Sequence, residues 1–352
     1  MANDKMKSIL NEGEAFLIVS QANRRYFTDF EASDGYLVIT AEKSVFLTDG
    51  RYIEAAGNKV KNCDEVSLLT RADEDLPSLL GSLGVSSVYT EAENLTVGEF
   101  ERLKEILDCR VTAEKADNAI KNLRRQKKEY EKQRVIAAQR IAEKAFEHIL
   151  TFIKPGVTEK DIRLELEFYM LKNGADGLSF ETIAVSGKNT SMPHGVPTDK
   201  KVESGDFVTM DYGALVDGYH SDMTRTVAVG SVSDKMAEVY ETVLRAQQAC
   251  FDVLKPGIAC KDADKAARDV IESAGYGRFF THSTGHGVGI DIHEAPSVSS
   301  RSKETLRAGD IVTDEPGIYI PGEFGVRIED MAFITETGCE SLTKCEKSLI
   351  IL

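Results

Sequence analysis

Two acidic segments of the chain contain the residue types that bind divalent metals. DYGALVDGYHSDMTRT at 211–226 and DEPGIYIPGEFGVRIED at 314–330 lie on either side of a Gly-His-Gly sequence at 285–287. Together they supply four carboxylates and one imidazole, from Asp211, Asp222, Glu315, Glu329 and His286. Two divalent ions bound by such ligands activate water and stabilise the charge that its attack creates. We therefore predict a hydrolytic site with two metal ions.

The first acidic segment is predicted to form a β-hairpin. Asp217-Gly218 lies between two apolar runs, which is a strong signal for a two-residue turn. That register places Gly213 opposite Asp222. Because strand side chains alternate between faces, Asp211 lies on the face of Gly213 and is a diagonal neighbour of Asp222, at about 7–8 Å. These two carboxylates can then bind metal from one face.

The second acidic segment needs a different turn. Glu315 and Glu329 are fourteen residues apart, so a two-residue turn would place them on opposite faces of a hairpin. A loop of three or five residues around Pro321-Gly322 aligns them, and we predict this odd-length loop. His286 adds a nitrogen ligand, and its flanking glycines allow the backbone to approach the ions closely.

The elements that must position these residues are predicted to form two domains, because 352 residues exceed the usual size of a single core. Up to residue 112, short β-rich runs alternate with helical patterns, which indicates an α/β layer. A capping box of Thr96 and Glu99 begins the last of these helices, at 99–107. The β-rich runs are at 16–20, 35–40, 44–48, 66–70 and 86–91.

A highly charged stretch at 121–134 leads into apolar positions spaced by threes and fours up to residue 152. This spacing predicts one long amphipathic helix that opens the second domain, with the charged stretch as its solvated start. An internal repeat follows. IKPGVTEKDI at 153–162 recurs as LKPGIACKDA at 254–263, and the carboxylates of the two acidic segments recur at a similar offset. We predict a duplicated unit with the site between its halves.

Composition limits the partners and the compartment. A net charge of −15 and a pI near 5.0 argue against nucleic acid and anionic membranes as partners. The six cysteines show no CxxC spacing, which indicates reduced thiols. The first residues lack a core of signal-peptide type, and no run of ~18 apolar residues occurs. We therefore expect a cytoplasmic protein.

Several motifs resemble those of the creatinase and methionine aminopeptidase superfamily, in which a pseudo-symmetric "pita-bread" domain binds two metals. All five metal-ligand positions of that superfamily are filled here. RYFTDF at 25–30 and LTDGRYIEAA at 47–56 resemble the additional domain of its proline-specific peptidases. The catalytic motifs are SMPHG at 191–195, SDMTRT at 221–226, HSTGHGVGIDIHE at 282–294, EPGIY at 315–319 and RIED at 327–330.

This resemblance implies an α/β (α+β) fold, with a creatinase-like N-terminal domain at 1–122 and a pita-bread catalytic domain at 123–352. It implies that Asp222 and Glu329 bridge the metals, that Asp211 binds one of them, and that His286 and Glu315 bind the other. The carboxylate-rich set favours Mn²⁺, with Co²⁺, Fe²⁺ and Zn²⁺ as alternatives. It also implies a homodimer.

Further site residues follow from the same resemblance. Glu315 is expected to accept the proton of the attacking water. His194 and His293 match histidines that contact the substrate carbonyl. His282 matches a position near the metal ligands, and either a supporting or a packing role is open for it. Arg327 and Thr224 are expected to support ligand carboxylates, whereas His148 and His220 are expected to be structural.

Two positions depart from the family pattern. Asp314 stands where an apolar residue is common, and its side chain is expected either to raise the proton affinity of its neighbours or to point away from the metals. Asp29 replaces a frequent glycine in the N-terminal motif. Neither change removes a ligand.

The favoured function is an Xaa-Pro aminopeptidase, which cleaves the bond before a penultimate proline. A prolidase restricted to Xaa-Pro dipeptides is its closest alternative, because it needs the same metals. A creatinase-like amidinohydrolase is a third enzyme, but no feature specifies its guanidinium-bearing substrate. A non-catalytic peptide-binding homologue is the alternative from another class, although such relatives typically lose ligands.

Overall fold

The computed structural model describes residues 2–113 and 115–352. The chain divides into two compact units, Met1–Arg124 and Arg125–Leu352. The fold is mixed α/β, as predicted. Within the described residues, helices long enough to cross a membrane are all too polar to do so.

The first unit is built on a six-stranded mixed sheet. Its elements are α1 (Ala2–Lys7), β1 (Glu14–Ile18), α2 (Gln21–Thr28), β2 (Tyr36–Thr40), β3 (Ser44–Thr48), α3 (Ile53–Lys59), β4 (Glu65–Leu68), α4 (Ala72–Ser82), β5 (Ser87–Thr90), α5 (Val97–Ile106), β6 (Arg110–Thr112) and α6 (Lys115–Arg125). The strand order is β4-β3-β2-β1-β5-β6. The meander β1–β2–β3 is antiparallel, and the remaining strand pairs, β3/β4, β1/β5 and β5/β6, are parallel.

The strand predictions for this unit are confirmed, since each of the five β-rich runs overlaps one of β1 to β5. The capping box of Thr96 and Glu99 is also present at the start of α5. Asp29 ends α2 in a left-handed conformation, with φ at 54°. That conformation explains why glycine is frequent at this position, and aspartate is among the few residues that tolerate it.

The second unit contains the predicted site residues. Its elements are α7 (Glu129–Ile149), α8 (Glu159–Lys172), β7 (Gly177–Leu178), β8 (Ile183–Ser186), β9 (Phe207–Tyr212), β10 (Ala214–Val216), β11 (Tyr219–His220), β12 (Met223–Ala228), α9 (Asp234–Val253), α10 (Cys260–Ser273), β13 (Gly285–Gly287), β14 (Glu294–Val298), β15 (Ile311–Asp314), β16 (Gly317–Ile320), β17 (Phe324–Arg327), β18 (Asp330–Ile334) and β19 (Cys339–Ser341). Short 3₁₀ helices occupy Gly187–Ser191 and Gly277–Phe279.

The predicted long amphipathic helix is confirmed as α7, but this helix does not include the whole charged stretch. Helix α6 ends at Arg125 and α7 begins at Glu129, so a break interrupts the stretch. Three charged side chains of the stretch, those of Arg125, Lys127 and Glu131, are buried rather than solvated. Arg125 donates to Asp310 at 2.8 Å, and Lys127 forms an ion pair with Glu294 while its side chain is only 1% exposed. Their acidic partners are more than 160 residues away, where local charge patterning cannot reveal them.

The predicted internal repeat is present as two copies of a helix pair. Helices α7 and α8 flank the first Lys-Pro-Gly, and α9 and α10 flank the second. Gly156 N donates to Val202 O at 2.9 Å, and its counterpart Gly257 N donates to Leu306 O at 2.8 Å. The helices of each half pack in one of two buried clusters, and the cluster of the second half also includes Phe207 and Ala228 from strands of the first. The duplication therefore extends from the sequence to the backbone hydrogen bonds.

Candidate metal centre

The first acidic segment forms the predicted hairpin. Val216 pairs with Tyr219, and the two residues between them, Asp217 and Gly218, have positive φ values of 48° and 75°, as a type I′ turn requires. Asp211 pairs with Thr224 across β9 and β12, and both ladders share one register. Asp222 therefore lies opposite Gly213, with Asp211 diagonal to it, as predicted.

Gly213 is required at this point of the hairpin. A Cβ atom there would lie 1.9 Å from Ser221 O and 2.8 Å from Ser179 Cβ. The backbone at position 213 can therefore approach Ser221 and Ser179 this closely only because glycine has no side chain.

The second acidic segment contains the predicted odd-length loop. Ile320 pairs with Phe324, which leaves a three-residue loop at 321–323. The ladder of β16 and β17 has the same register as that of β15 and β18, in which Asp314 pairs with Asp330. Glu315 and Glu329 lie between the two ladders, so the shared register places them opposite each other.

His286 lies on β13, between the two acidic hairpins. Its Nδ1 donates to Gly287 O at 3.1 Å, so the lone pair of Nε2 faces the carboxylates. Nε2 lies 3.5 Å from Asp222 Oδ2 and 3.4 Å from Glu315 Oε1. The flanking glycines have a packing reason of their own, since a Cβ at 285 would lie 2.0 Å from Thr313 O and one at 287 would lie 2.4 Å from Ala295 O.

Three residues form the centre of the cluster. Ligand atoms of Asp222, His286 and Glu329 all lie within 4.8 Å of one another. Glu315 contacts this cluster through His286, whose Nε2 lies 3.4 Å from Glu315 Oε1. Asp211 has one oxygen bound to Arg327 at 2.5 Å, and its buried Oδ1 has no hydrogen-bond partner.

The electrostatics of the cluster fit divalent cations. Burial, together with the neighbouring carboxylates, raises the pKa of Asp222 and of Glu329 well above the ordinary range. Burial raises the pKa of Glu315 to about 8, and burial lowers the pKa of His286. A neutral imidazole, carboxylates that repel one another and an unpartnered Asp211 oxygen are the donor set that a divalent metal would satisfy.

Arg327 and Thr224 both contact predicted metal ligands. Arg327 binds Asp211, which belongs to the other hairpin, and its Nε donates to Thr224 Oγ1 at 2.9 Å. Thr224 in turn donates to Glu329 Oε2 at 2.7 Å. One hydrogen-bonded chain therefore orients a carboxylate from each half.

His282 extends this hydrogen-bonded chain through Tyr319. His282 Nδ1 donates to Ser283 O, so its Nε2 accepts from the Tyr319 hydroxyl at 2.9 Å. That hydroxyl accepts from Arg327 at 2.7 Å. Burial and the nearby Arg327 charge lower the pKa of His282 to about 4, which keeps the ring neutral. Of the two roles left open for His282, these contacts favour the supporting one.

Tyr319 is not among the site residues that the sequence predicts. The register of the second hairpin would have predicted its contact with Arg327. Gly317 pairs with Arg327, and Tyr319 lies two residues after Gly317, so Tyr319 and Arg327 are diagonal neighbours. Diagonal neighbours at this spacing reach each other when their side chains are long.

A cavity of about 460 Å³ opens onto the cluster, and all five predicted ligands line it. His194, His293, His282 and Arg327 line it as well. The rings of His286 and His293 are 4.3 Å apart. Burial and the adjacent His286 lower the pKa of His293, so its ring is neutral.

The histidines expected to be structural have partners elsewhere. His148 pairs with Glu165 at 2.6 Å and stacks on Tyr169. His220 bonds to Ser179 Oγ at 2.9 Å. Neither of these two described side chains lines the cavity.

The side chain of Asp314 points away from the cluster, which is the second of the two expectations for this residue. Strand alternation sends its side chain to the face opposite Glu315, where it is fully buried. Gln247 donates to Asp314 at 3.2 Å and to Asp330 at 3.3 Å. Asp314 and Asp330 therefore belong to a polar network behind the cluster.

Comparisons with known proteins agree with this arrangement. Residues 133–336 match Metallopeptidase family M24, and residues 10–126 match the Creatinase/Prolidase N-terminal domain. The chain is 39% identical to the Xaa-Pro dipeptidase of Pyrococcus horikoshii over 99% of both chains.

Solved structures show the same similarity in three dimensions. The Xaa-Pro dipeptidase from Bacillus anthracis has a TM-score of 0.96 and 40% identity, covering 100% of this chain and 99% of its own. The X-Pro aminopeptidase from Thermotoga maritima has a TM-score of 0.92 and 35% identity, covering 99% of this chain and 100% of its own.

Proposed function

The chain belongs to metallopeptidase family M24, and from this premise we propose that it is an exopeptidase that hydrolyses the bond before proline at the N-terminus of peptides. It is a metal-dependent hydrolase with a creatinase-like N-terminal domain. The observation that carries the proposal is the cluster of Asp222, His286 and Glu329 in a cavity that His194 and His293 also line. Relatives named for cleavage at Xaa-Pro bonds match the chain over nearly its whole length.

Five residues would hold two divalent ions in this cavity. We assign Asp222 and Glu329 as bridging ligands, Asp211 to one ion, and His286 with Glu315 to the other. The deep burial of the two bridging residues, at 4% and 1% exposure, supports this assignment. Bound there, the ions would supply a hydroxide nucleophile at neutral pH and stabilise negative charge on the scissile carbonyl. The preponderance of carboxylates favours Mn²⁺ over Co²⁺, Fe²⁺ or Zn²⁺.

The chain's own residues would complete the reaction. We assign Glu315 as the group that accepts the proton of the attacking water. Thr313 donates to its Oε1 at 3.1 Å and fixes the orientation of the carboxylate. His194 and His293 line the cavity, and a ring N–H at either position can donate a hydrogen bond to the carbonyl oxygen. Such a donor contributes roughly 3 kcal/mol when it points at the developing charge.

A dipeptidase is the alternative within the same chemistry, and similar proteins with that name support it. Cleavage of matched Xaa-Pro and Xaa-Pro-Xaa peptides with added Mn²⁺ separates the two functions. We expect both peptides to be cut between Xaa and proline. Cleavage of the dipeptide alone would contradict the aminopeptidase assignment, and cleavage of neither would contradict both.

We also propose a cytoplasmic homodimer with domains at 1–122 and 123–352. The family matches at 10–126 and 133–336 support two domains of this size. Free cysteines support a reducing compartment. Light scattering coupled to size exclusion measures the mass directly, and a mass near 38.7 kDa would contradict the dimer.

A further inference from the structure

A buried carboxylate at the start of α8 holds the base of the segment that carries His194. Glu159 is fully buried, and its two oxygens accept five hydrogen bonds. The donors to Oε1 are Ser186 N at 2.7 Å, Ser186 Oγ at 3.0 Å and Asn189 Nδ2 at 2.9 Å. The donors to Oε2 are Thr198 N at 2.9 Å and Thr198 Oγ1 at 2.7 Å.

The donors lie at both ends of one loop. Ser186 is the last residue of β8, Thr198 follows the loop, and residues 187–197 lie between them. Oε1 of Glu159 accepts from Ser186, where the loop begins, and Oε2 accepts from Thr198, where the loop ends. The carboxylate therefore closes the loop at its base and also satisfies the buried backbone N–H of Ser186.

The far side of this loop contacts the second acidic hairpin. Gly325 N donates to Thr190 Oγ1 at 2.8 Å, and Arg327 donates to Pro193 O at 3.3 Å. A Cβ at Gly325 would lie 2.2 Å from Thr190 O, so the two backbones are in close contact. His194 directly follows Pro193 and lines the cavity. Its position thus depends on the closed base and on the contact with the hairpin.

The other half of the duplicated unit contains a similar arrangement. Asp264, on α10, is fully buried and accepts from Thr284 N at 3.1 Å and from Thr284 Oγ1 at 2.9 Å. Thr284 lies two residues before His286. In both halves, a buried carboxylate near the start of the second helix therefore holds the segment that carries a cavity histidine.

We propose that Glu159 is a positioning residue that acts through His194. The inference rests on the proposed function, because that function assigns the substrate contact to His194. Glu159 does not line the cavity formed by described residues, so its effect on catalysis passes through the loop.

The test compares Glu159→Gln with Glu165→Gln, a charge-matched control on the same helix. The amide nitrogen of glutamine cannot accept a hydrogen bond, so donors at one end of the loop lose their acceptor. We expect kcat/KM on an Xaa-Pro peptide to fall roughly 10–100-fold, mainly through kcat, as small misplacements of catalytic groups do. Mn²⁺ content should not change. Loss of metal together with activity would overturn the proposal.

A double-mutant cycle separates positioning from a general structural effect. In a His194→Ala background, Glu159→Gln should lower kcat/KM by less than about 3-fold, because the group it positions is already absent. Equal losses in both backgrounds would overturn the proposal. If Glu159→Gln does not fold, Thr198→Val takes its place in the cycle, because it removes the hydroxyl that donates to Glu159 Oε2 and accepts from Lys200 N.

A second readout does not depend on activity. Lys188 lies in the loop, and we expect trypsin to cleave after it at least several-fold faster in Glu159→Gln than in the Glu165→Gln control. Unchanged cleavage would overturn the proposed loop closure. If the unmodified protein cleaved no proline peptide, the proposed function would fail, and the trypsin experiment would still decide the role of Glu159.

Discussion

Arg327 contacts residues of both acidic hairpins in the candidate site. Its guanidinium binds Asp211, Thr224 and Tyr319, and its side chain is only 4% exposed. A planar group with five donors can satisfy this set, whereas the single ammonium of lysine cannot. The orientation of Asp211 and, through Thr224, of Glu329 therefore depends on one side chain.

We expect Arg327→Lys to weaken metal binding by roughly 10–100-fold, as the loss of a group that orients ligands typically does. Mn²⁺ titration by calorimetry measures the effect. Arg245→Lys, at an exposed position of α9, is the matched control and should bind Mn²⁺ normally. An unchanged affinity in Arg327→Lys would show that Asp211 and Glu329 keep their orientation without the guanidinium.

The pKa of Glu315 leads to a prediction for the metal-free protein. Its folded-state pKa of about 8 lies above the ordinary 4.5, so the folded state binds more protons than the unfolded state between these values. The free energy of unfolding of the metal-free protein should therefore fall as the pH rises from about 4.5 to about 8. Saturating Mn²⁺ should remove this dependence, because ligands deprotonate on binding metal.

Urea unfolding at pH 5, 6, 7 and 8, with EDTA or with Mn²⁺, measures both effects. A metal concentration of 100 times Kd should add about 2.7 kcal/mol to the free energy of unfolding. A metal-free protein that becomes more stable toward pH 8 would contradict the assigned carboxylate cluster.

At the scale of secondary structure elements, the two hairpins position their acids in different ways. The first uses a two-residue turn and a glycine opposite Asp222, whereas the second uses a three-residue loop and a break between two ladders. Both solutions follow from the two-residue period of strands, which fixes the face of each carboxylate once the loop length is set.

The hairpin geometry predicts unequal effects for two glycine substitutions. Gly213→Ala should destabilise the protein by about 3 kcal/mol or more, at or above the usual upper limit for overpacking, because a clash with backbone cannot relax easily. Gly322→Ala should cost only about 1–2 kcal/mol, since its φ is 76° but no atom lies within 4 Å of the added Cβ. Thermal unfolding of the two variants measures the difference. Equal losses would contradict the close approach of Ser221 O to Gly213.

In the first unit, Glu14 on β1 links two neighbouring elements. It accepts from the Tyr89 hydroxyl at 2.6 Å and from Lys115 at 3.0 Å. Hydrogen bonds from the Asn11 backbone, Tyr89 and Lys115 lower the pKa of Glu14 to about 2. This depressed pKa makes the ionised carboxylate a stabilising group.

We expect Glu14→Gln to lower the stability of the first unit at pH 7 and to have little effect near pH 2. The wild-type contribution is complete above the ordinary pKa of 4.5 and is lost as the pH falls toward 2. Urea unfolding followed by circular dichroism at pH 7, 4 and 2.5 measures this convergence. Glu12→Gln, on a neighbouring exposed residue, is the control. A constant difference across this range would contradict the assigned hydrogen bonds.

For the whole molecule, duplication explains why the site lies where it does. Each half contributes one hairpin, and the second half also contributes the strand with His286. Arg327 of the second half binds Asp211 of the first. The site therefore exists only when the two halves fold together, and the buried cluster of the second half likewise includes Phe207 and Ala228 of the first.

Local rules were enough to predict much of this protein. Turn chemistry at Asp217-Gly218 and the fourteen-residue spacing of Glu315 and Glu329 determined both hairpin registers, because strand alternation depends only on neighbouring residues. Repeated Lys-Pro-Gly sequences revealed the duplication, and motifs identified the family.

Contacts between distant segments were decided by the tertiary structure alone. The bond from Arg327 to Asp211 joins residues 116 positions apart, and the bonds from Glu159 to Thr198 close a loop from a separate helix. The burial of Arg125 and Lys127 depends on distant acids that their own sequence neighbourhood does not contain. Periodicity and turn signals describe only a residue's own element, whereas the partner of a buried charge is set by which elements pack together.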